Sequence, residues 1–433
     1  MARAKKEAAL TPEERLQAAL VPDWEWPYKL PENWCWTYFK SISTIQTGKK
    51  DANYGSDEGK YPFFTCAAEP IRCHGYSFDC RAILLAGNGD INNINRYNGK
   101  FEAYQRTYVV KISEPLCFDY IFYWFKYRWF DFNKGKMFGT AIPYIRLGNL
   151  QEFPTPIPPL AEQQRIVVRI ESLFSKLDEA KEKAQAVVDS FETRKAAILH
   201  KAFTGELTAK WRKEHGVGME SWEVRTLDSV CSSIFDGDHM PPPKAESGIP
   251  FLVISNVNTG HLTFENTRFV PQEYYDTLSD TRKPQLGDVL YTLVGSFGIP
   301  VVVNSKRPFC FQRHMALLRP IDVSPQFLWY ILQTPEMYDK ASSIATGTAQ
   351  LTVPIKGLRA MTIPRPNIAE QVEIVRILDG FFAREQSAKE AAEAVLDQIN
   401  LMKKSILARA FRGELGTNDP SEESAVELLK QIF

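Results

Sequence analysis

From Ile166 onward, apolar residues recur at Ile170, Leu173, Leu177, Ala180, Ala184, Val187, Phe191 and Ile198. The steps alternate between four and three residues, a mean of about 3.5, which is the seam of a coiled coil. The same register returns at Ile374, Leu378, Phe381, Ala388, Ala392, Val395, Ile399, Met402 and Ile406. Two charged residues interrupt it: Glu385 where the first stripe has Leu177, and Arg194 where the second has Met402. Proline punctuates both starts, at Pro158-Pro159 and Pro366, and Asn367 with Glu370 three residues on predicts a capping box. Gly205 and Gly413 stand where a helix would stop. Each stretch predicts a helix of about 40 residues, near 60 Å long. A stripe of that length outruns the face of a domain of about 130 residues, so the partner predicted for each helix is the other copy.

The stretches before each helix read as mixed α/β. Short β-rich runs such as Tyr108-Val109-Val110-Lys111-Ile112 and Pro300-Val301-Val302-Val303 are broken by glycine and asparagine. Helical stretches follow near Asp119–Phe130 and Pro325–Tyr338. Each half also runs a strand into a glycine turn, Gly87-Asn88-Gly89-Asp90 and Gly295-Ser296-Phe297-Gly298. Such a turn either cradles a phosphate or closes a hairpin.

These matching features belong to an internal repeat. Gly139-Thr140-Ala141 recurs as Gly347-Thr348-Ala349, Ala161-Glu162-Gln163 as Ala369-Glu370-Gln371, and Phe203-Thr204-Gly205-Glu206-Leu207 as Phe411-Arg412-Gly413-Glu414-Leu415. All share one offset across about 70 residues without a gap. The fronts of the halves match more weakly, at Trp34 against Trp222 and Pro62-Phe63 against Pro250-Phe251. The frame is shared and the part between is variable.

Composition narrows the class. With 433 residues, 44% apolar and 24% charged, the chain fits two or three globular domains. No apolar run is long enough to span a bilayer, and Met1–Leu20 has no signal-peptide core, so the expected compartment is the cytoplasm. Seven cysteines suit that compartment; Cys66, Cys73 and Cys80 with His74 suggest a zinc site less well than free thiols, because no Cys-x-x-Cys clip is present. Net charge is zero, but residues 30–150 are basic while 218–360 are slightly acidic. There is no P-loop, no amino-methyltransferase Asp/Asn-Pro-Pro-Tyr/Phe motif, no dinucleotide fingerprint and no His-Glu-x-x-His helix.

The segment Pro156–Val167 and its second copy from Pro364 resemble the motif opening each spacer helix in the DNA-specificity subunits of type I restriction–modification enzymes. Ala202–Leu207 and its copy resemble the motif closing them. Phe235-Asp236-Gly237-Asp238-His239 with Gly248–Leu252 looks like the start of many target-recognition domains, and Gly413–Leu429 is similar to the family's C-terminal ending. The resemblance covers nearly the whole chain. It implies an α+β fold: two mixed α/β target-recognition domains joined by two long helices in an antiparallel coiled coil, with pseudo-twofold internal symmetry. The expected parts are an N-terminal helical segment (1–28), recognition domain 1 (29–158), spacer helix 1 (159–212), recognition domain 2 (213–366), spacer helix 2 (367–415) and a C-terminal tail helix (416–433).

The resemblance further implies a non-catalytic subunit that reads a bipartite, asymmetric site on double-stranded DNA. Two modification subunits would bring S-adenosylmethionine and flip out adenines for N6 methylation, and restriction/translocase subunits would use ATP with magnesium; this chain would hold no cofactor, metal or membrane. Thr11–Leu20 would pair with the C-terminal tail and make the frame circular. The alternative is a coiled-coil interaction scaffold without DNA readout. Candidate DNA contacts are amides, hydroxyls and cations in predicted loops: Lys49, Lys50, Asn88, Asn92, Asn93, Arg96 and Thr140 in the first domain. In the second they are His239, Lys244, Asn256, Ser296, Arg313, Thr348 and Gln350. Thr140 and Thr348 serve equally well as helix caps.

Overall fold

The computed structural model describes residues 11–237 and 242–433, which form two compact units. Unit 1 takes the described residues up to Ala184 together with Ala394–Phe433, and unit 2 takes Gln185–Glu393. Among the described residues no helix is long and apolar enough to cross a membrane.

Unit 1 is built on a six-stranded sheet in the order Ser43–Thr47, Thr107–Ile112, Phe78–Ala86, Ile94–Ala103, Tyr61–Phe64, Ile71–Cys73. Its pairings are antiparallel except that Phe63 and Phe64 run parallel to Glu102 and Ala103. Helix Phe118–Asn133 packs an aromatic-rich face over this sheet, burying Trp124, Phe125 and Trp129 with Phe39 and Phe153. A two-stranded ribbon, Cys35–Tyr38 against Pro154–Ile157, leads into helix Leu160–Asp189. Helix Pro12–Ala19 packs on helix Ala425–Lys430 through Leu16, Leu428 and Leu429, so the 11–20 stretch pairs with the tail as expected.

Unit 2 repeats the plan in shorter elements. Its four-stranded antiparallel sheet runs Cys231–Asp236, Met315–Pro320, Val289–Thr292, Pro300–Val302, the order of the first four strands of unit 1. A three-stranded sheet, Arg268–Val270, Ile249–Leu252 and Cys310–Phe311, lies beyond it. The ribbon is Glu223–Thr226 against Thr362–Arg365, and two helices, Pro325–Leu332 and Pro335–Ile344, replace the single one. Ser324 and Thr334 cap them, each accepting from a backbone N–H three residues on.

The second heptad stretch is one helix, Ile368–Ala410, of 43 residues. The first is broken at Ser190 into Leu160–Asp189 and Phe191–Phe203. Ser190 turns its hydroxyl back onto the Ala186 carbonyl, and Arg194 bonds that hydroxyl and the Val187 carbonyl at 3.2 Å. Gly205 and Gly413 follow the helix ends with φ of +84° and +73°, a region that favours glycine. Within each unit the two helices run antiparallel. In unit 1 Ile166 and Ile170 cluster with Leu407 and Ala410, while Asp178 meets Lys403 at 2.5 Å. In unit 2 Leu199 and Ala202 cluster with Ile374 and Leu378.

The two interruptions of the heptad pattern meet each other: Arg194 and Glu385 form an ion pair at 2.7 Å on the antiparallel seam. Both remain partly open to water, at 34% and 19%, so the pair contributes little to stability but opposes a slipped register that would leave either charge against apolar neighbours. Arg194→Glu alone is expected to destabilise unit 2 by about 1 kcal/mol, and the swapped pair Arg194→Glu/Glu385→Arg to recover most of it. Urea denaturation of the four members of the cycle checks this. A coupling energy of zero would refute the register role.

Candidate nucleic-acid interface

The repeated Gly-Thr-Ala triplets sit at the tips of two hairpins built alike. In unit 1, Phe138 and Tyr144 exchange backbone hydrogen bonds at 2.9 Å; in unit 2, Thr346 and Thr352 do so at 2.9 and 2.8 Å. The tip glycines, Gly139 and Gly347, have φ of +83° and +115°. A side chain on either would also strike backbone, at 2.7 Å from the Ile142 carbonyl oxygen and 2.4 Å from that of Gln350. Each tip is then stitched to the glycine turn of its own unit. Gly89 and Gly295 donate to the carbonyls of Pro143 and Leu351, while Ile145 and Val353 donate to those of Gly87 and Leu293.

These bonds decide between the two readings of the glycine turns. The N–H groups of Gly87 and Gly89 are used inside the fold, the first by the Arg106 carbonyl at 2.8 Å. The turn is therefore a brace for the tip, not a phosphate cradle. Thr140 and Thr348 precede no helix; both are exposed at the tips, with Ala141, Ile142, Ala349 and Gln350.

The other candidates divide. Asn88 bridges to Tyr144 beside the tip, Ser296 is exposed in the turn of unit 2, and Arg313 is exposed in the adjoining turn before Met315–Pro320. Lys49 and Lys244 are exposed, and Lys50 lies with its ammonium 4.6 Å from the Tyr54 ring centroid. Asn92 is exposed, its side chain bonded to Asp90 within its own turn.

One candidate is corrected, and two others are engaged within the fold. Asn256 is 2% exposed; its amide accepts from the Val253 N–H and donates to the Glu265 carbonyl, so it builds a turn. Asn93 donates to the Cys66 carbonyl at 2.9 Å and ties two loops together. Arg96 is exposed and stands on the helix side of the sheet, paired with Asp119 at 2.5 Å and stacked over Phe122. His239 lies outside the described residues.

The fold also brings forward cations that the sequence reading passed over. Lys134, Lys136 and Arg146 are exposed on either side of the first tip, with the Arg146 guanidinium 3.9 Å from the Phe138 ring centroid, and Arg106 lies beside the glycine turn. Ser342, Ile344 and Pro354 stand at the matching positions of unit 2 for Lys134, Lys136 and Arg146. The two tips therefore share a backbone and differ in charge.

The Glu-Gln pair that opens each long helix holds the recognition elements to the frame. Gln163 donates to the Pro158 carbonyl at 2.9 Å and accepts the N–H of Cys117, which precedes helix Phe118–Asn133, at 2.8 Å. Gln371 repeats both bonds, to Pro366 at 3.0 Å and from Ser324 at 2.9 Å. Both amides are fully buried. Gln371→Leu leaves a buried donor and a buried acceptor unmatched, for an expected loss of about 2 kcal/mol in unit 2 by urea denaturation; an unchanged midpoint would contradict this.

The neighbouring carboxylates are also fully buried. Glu162 accepts from Thr417 at 2.6 Å and from Arg165 at 3.1 Å. Burial pushes its carboxyl above the ordinary range despite those two bonds, which pull it down. Glu370 accepts from Thr208 and Arg212, both at 2.6 Å, and from the Trp222 indole at 2.9 Å. Asn367 caps the Glu370 N–H at 2.9 Å, but the Glu370 side chain turns to these partners, so only half of the expected capping box forms. Each opening motif thus grips the segment that follows the closing motif of the other helix.

Two α/β modules, each with an exposed hairpin tip and a pair of antiparallel helices, repeat one plan with unlike side chains. The sequence matches the family described as the type I restriction modification DNA specificity domain over residues 31–188 and again over 219–396, and the chain belongs to that family. It is 28% identical over 415 residues to the type I restriction enzyme EcoDI specificity subunit of Escherichia coli, covering 90% of this chain and 92% of that one. It is also 28% identical to the EcoKI specificity subunit of Escherichia coli strain K12, over 68% of this chain and 66% of that one.

Among solved structures, one described under "Structural basis underlying complex assembly and conformational transition of the type I R-M system" superposes with a TM-score of 0.67 at 22% identity, over 90% of this chain and 100% of that chain. The HsdS subunit from Thermoanaerobacter tengcongensis gives 0.61 at 22% identity with the same coverage. Both likenesses are of fold. The chain is a specificity subunit of a type I restriction–modification system, a non-catalytic component concerned with DNA sequence recognition.

Proposed function

We propose that each unit reads one half of a bipartite, asymmetric duplex target, using its exposed hairpin tip and the turns braced to it. The chain works in the cytoplasm as the frame for two modification subunits, which carry S-adenosylmethionine and methylate adenine at N6. Restriction/translocase subunits on the same assembly use ATP with magnesium. The observation that carries this reading is the pair of tips, alike in backbone bonding and unlike in side chains and charge. Two identical readers would need a palindromic target; two unlike ones need two unlike half-sites. The exposed cations around the first tip suit phosphate contacts, and the amides and hydroxyls at both suit base edges.

The test exchanges residues 29–158 for the corresponding stretch of another family member and maps methylated adenines in cells that also supply the modification subunit. One half of the methylated sequence is expected to change while the other stays. If both change, or neither does, the half-site assignment is refuted. A chain that assembles but binds duplex DNA with no dependence on salt or sequence would leave it a scaffold only.

A further inference from the structure

We propose that a hollow on unit 2 beside Phe203 receives a single aromatic side chain from a partner protein. The observation behind it is a comparison of the two helix ends. Phe411 in unit 1 and Phe203 in unit 2 each meet a ring in the first turn of the recognition-domain helix: Tyr120 at 5.2 Å from Phe411, and Phe327 at 5.3 Å from Phe203. Beyond that first ring the two diverge.

In unit 1 the chain covers Phe411 completely. Trp124 packs on it at 5.0 Å, Tyr127 stacks at 5.7 Å with 11° between planes, and the Tyr28 hydroxyl donates to its carbonyl at 3.0 Å. In unit 2, Ile331 and Thr334 stand at the sequence positions of Trp124 and Tyr127, and Val224, 75% exposed, at that of Trp36, whose ring backs Tyr28 and Trp124 at 5.1 and 5.9 Å. Among the described residues no ring takes the place of Tyr28, because helix Ala209–His215 is joined to Trp222 by a short link. Phe203 stays partly exposed, and a cavity of about 220 Å³ opens over it, walled by Ile331, Met337 and Pro364.

That volume is below the roughly 300–1,000 Å³ of small-molecule sites, and suits one side chain. Aromatic anchors seated in apolar pockets are the commonest strong contacts between proteins. The seat repeats the one that Tyr127 and Tyr28 use on Phe411. The Phe203 carbonyl, in the last turn of its helix, has no helical partner and faces the role that the Phe411 carbonyl plays for Tyr28. Nucleic acid is a poorer occupant: the rim charges are spent locally, His200 on Glu336 at 2.7 Å and Lys340 on the Thr362 carbonyl at 2.7 Å. A second copy of this chain could offer Trp24, 81% exposed, and a crosslink to a copy of this chain is the outcome that would reveal that occupant. Resting on the reading of the chain as a frame for modification subunits, the hollow gives one of the two such subunits a contact the other lacks.

The test places the photo-crosslinking residue p-benzoylphenylalanine at position 204, where Thr204 is exposed on the rim, in the full assembly with modification subunits and target duplex. The expected product is a crosslink to a modification subunit at a segment bearing an aromatic residue. Crosslinks to DNA or to a second copy of this chain, or no crosslink, would overturn the proposal. In parallel, Thr204→Trp fills the hollow from its rim and is expected to weaken uptake of one modification subunit at least tenfold by native mass spectrometry, with the thermal midpoint unchanged. Arg412→Trp, at the matching rim of unit 1, is expected to leave uptake as in wild type. Wild-type uptake by Thr204→Trp would also overturn the proposal. Failure here leaves the half-site assignment standing, since that is decided by methylation mapping of exchanged domains.

Discussion

Glu370→Ala is expected to cost unit 2 about 3–5 kcal/mol, the range for breaking a buried ion pair by removing one member. The carboxylate is fully buried and organises Thr208, Arg212 and Trp222 around it. Removing it strands the Arg212 guanidinium, whose side chain is 8% exposed, with the Thr208 hydroxyl and the Gly205 carbonyl as its remaining partners. Glu162→Ala at the equivalent place in unit 1 is expected to cost less, about 1–2 kcal/mol. There the arginine is 39% exposed and keeps a two-pronged contact with Glu422 at 2.8 and 2.7 Å. Urea denaturation followed by hydrogen exchange resolves the two units and reads both numbers. Equal losses at the two sites would contradict the claim that exposure of the arginine sets the difference.

That contrast marks how far the sequence could be read. The frame was legible because it depends on periodicity: apolar steps of three and four, prolines before and glycines after each helix, and a gap-free repeat. Arg194 and Glu385 were visible as interruptions, yet their meeting depends on the antiparallel alignment of helices 191 residues apart in sequence. The Glu-Gln motifs were recognisable as helix openings. What their side chains do was not, since the partners of Glu370 lie 148 to 162 residues away.

The tips stood out because Gly-Thr-Ala persists between divergent loops. The surrounding candidates were chosen as polar residues in loops, and that signal cannot tell an amide facing solvent from one spent inside the fold. Asn256 fell on the wrong side of that distinction, and Asn93 is half-buried with its amide on the Cys66 carbonyl. Arg96 is exposed, but the alternation of its strand sets it beside Asp119 and the helix. Lys136 and Arg146 were missed although they bracket the triplet in sequence, because only the fold makes that stretch a hairpin.

Phe411→Ala is the companion case for packing and is expected to destabilise unit 1 by about 3–5 kcal/mol. The ring is fully buried among Tyr120, Trp124 and Tyr127, in a cluster whose rings cannot all collapse into the space it would leave. The Phe411 carbonyl also anchors Tyr28, so the cavity would loosen the segment that leads to Leu30 and Trp34. Phe203→Ala in unit 2 removes the same ring from a place already open on one side, with Phe327 as its close aromatic neighbour among the described residues. Its expected cost is about 1–2 kcal/mol, because much of the surface it exposes is in contact with water beforehand. In the assembled complex the order should reverse for partner uptake: Phe203→Ala removes the platform on which an incoming ring would rest, while Phe411→Ala touches a site the chain fills itself. Thermal melts of the free chain against uptake of modification subunits separate the two effects. Equal costs in the free chain would show that Phe203 is as fully packed as its counterpart and that no seat is open beside it.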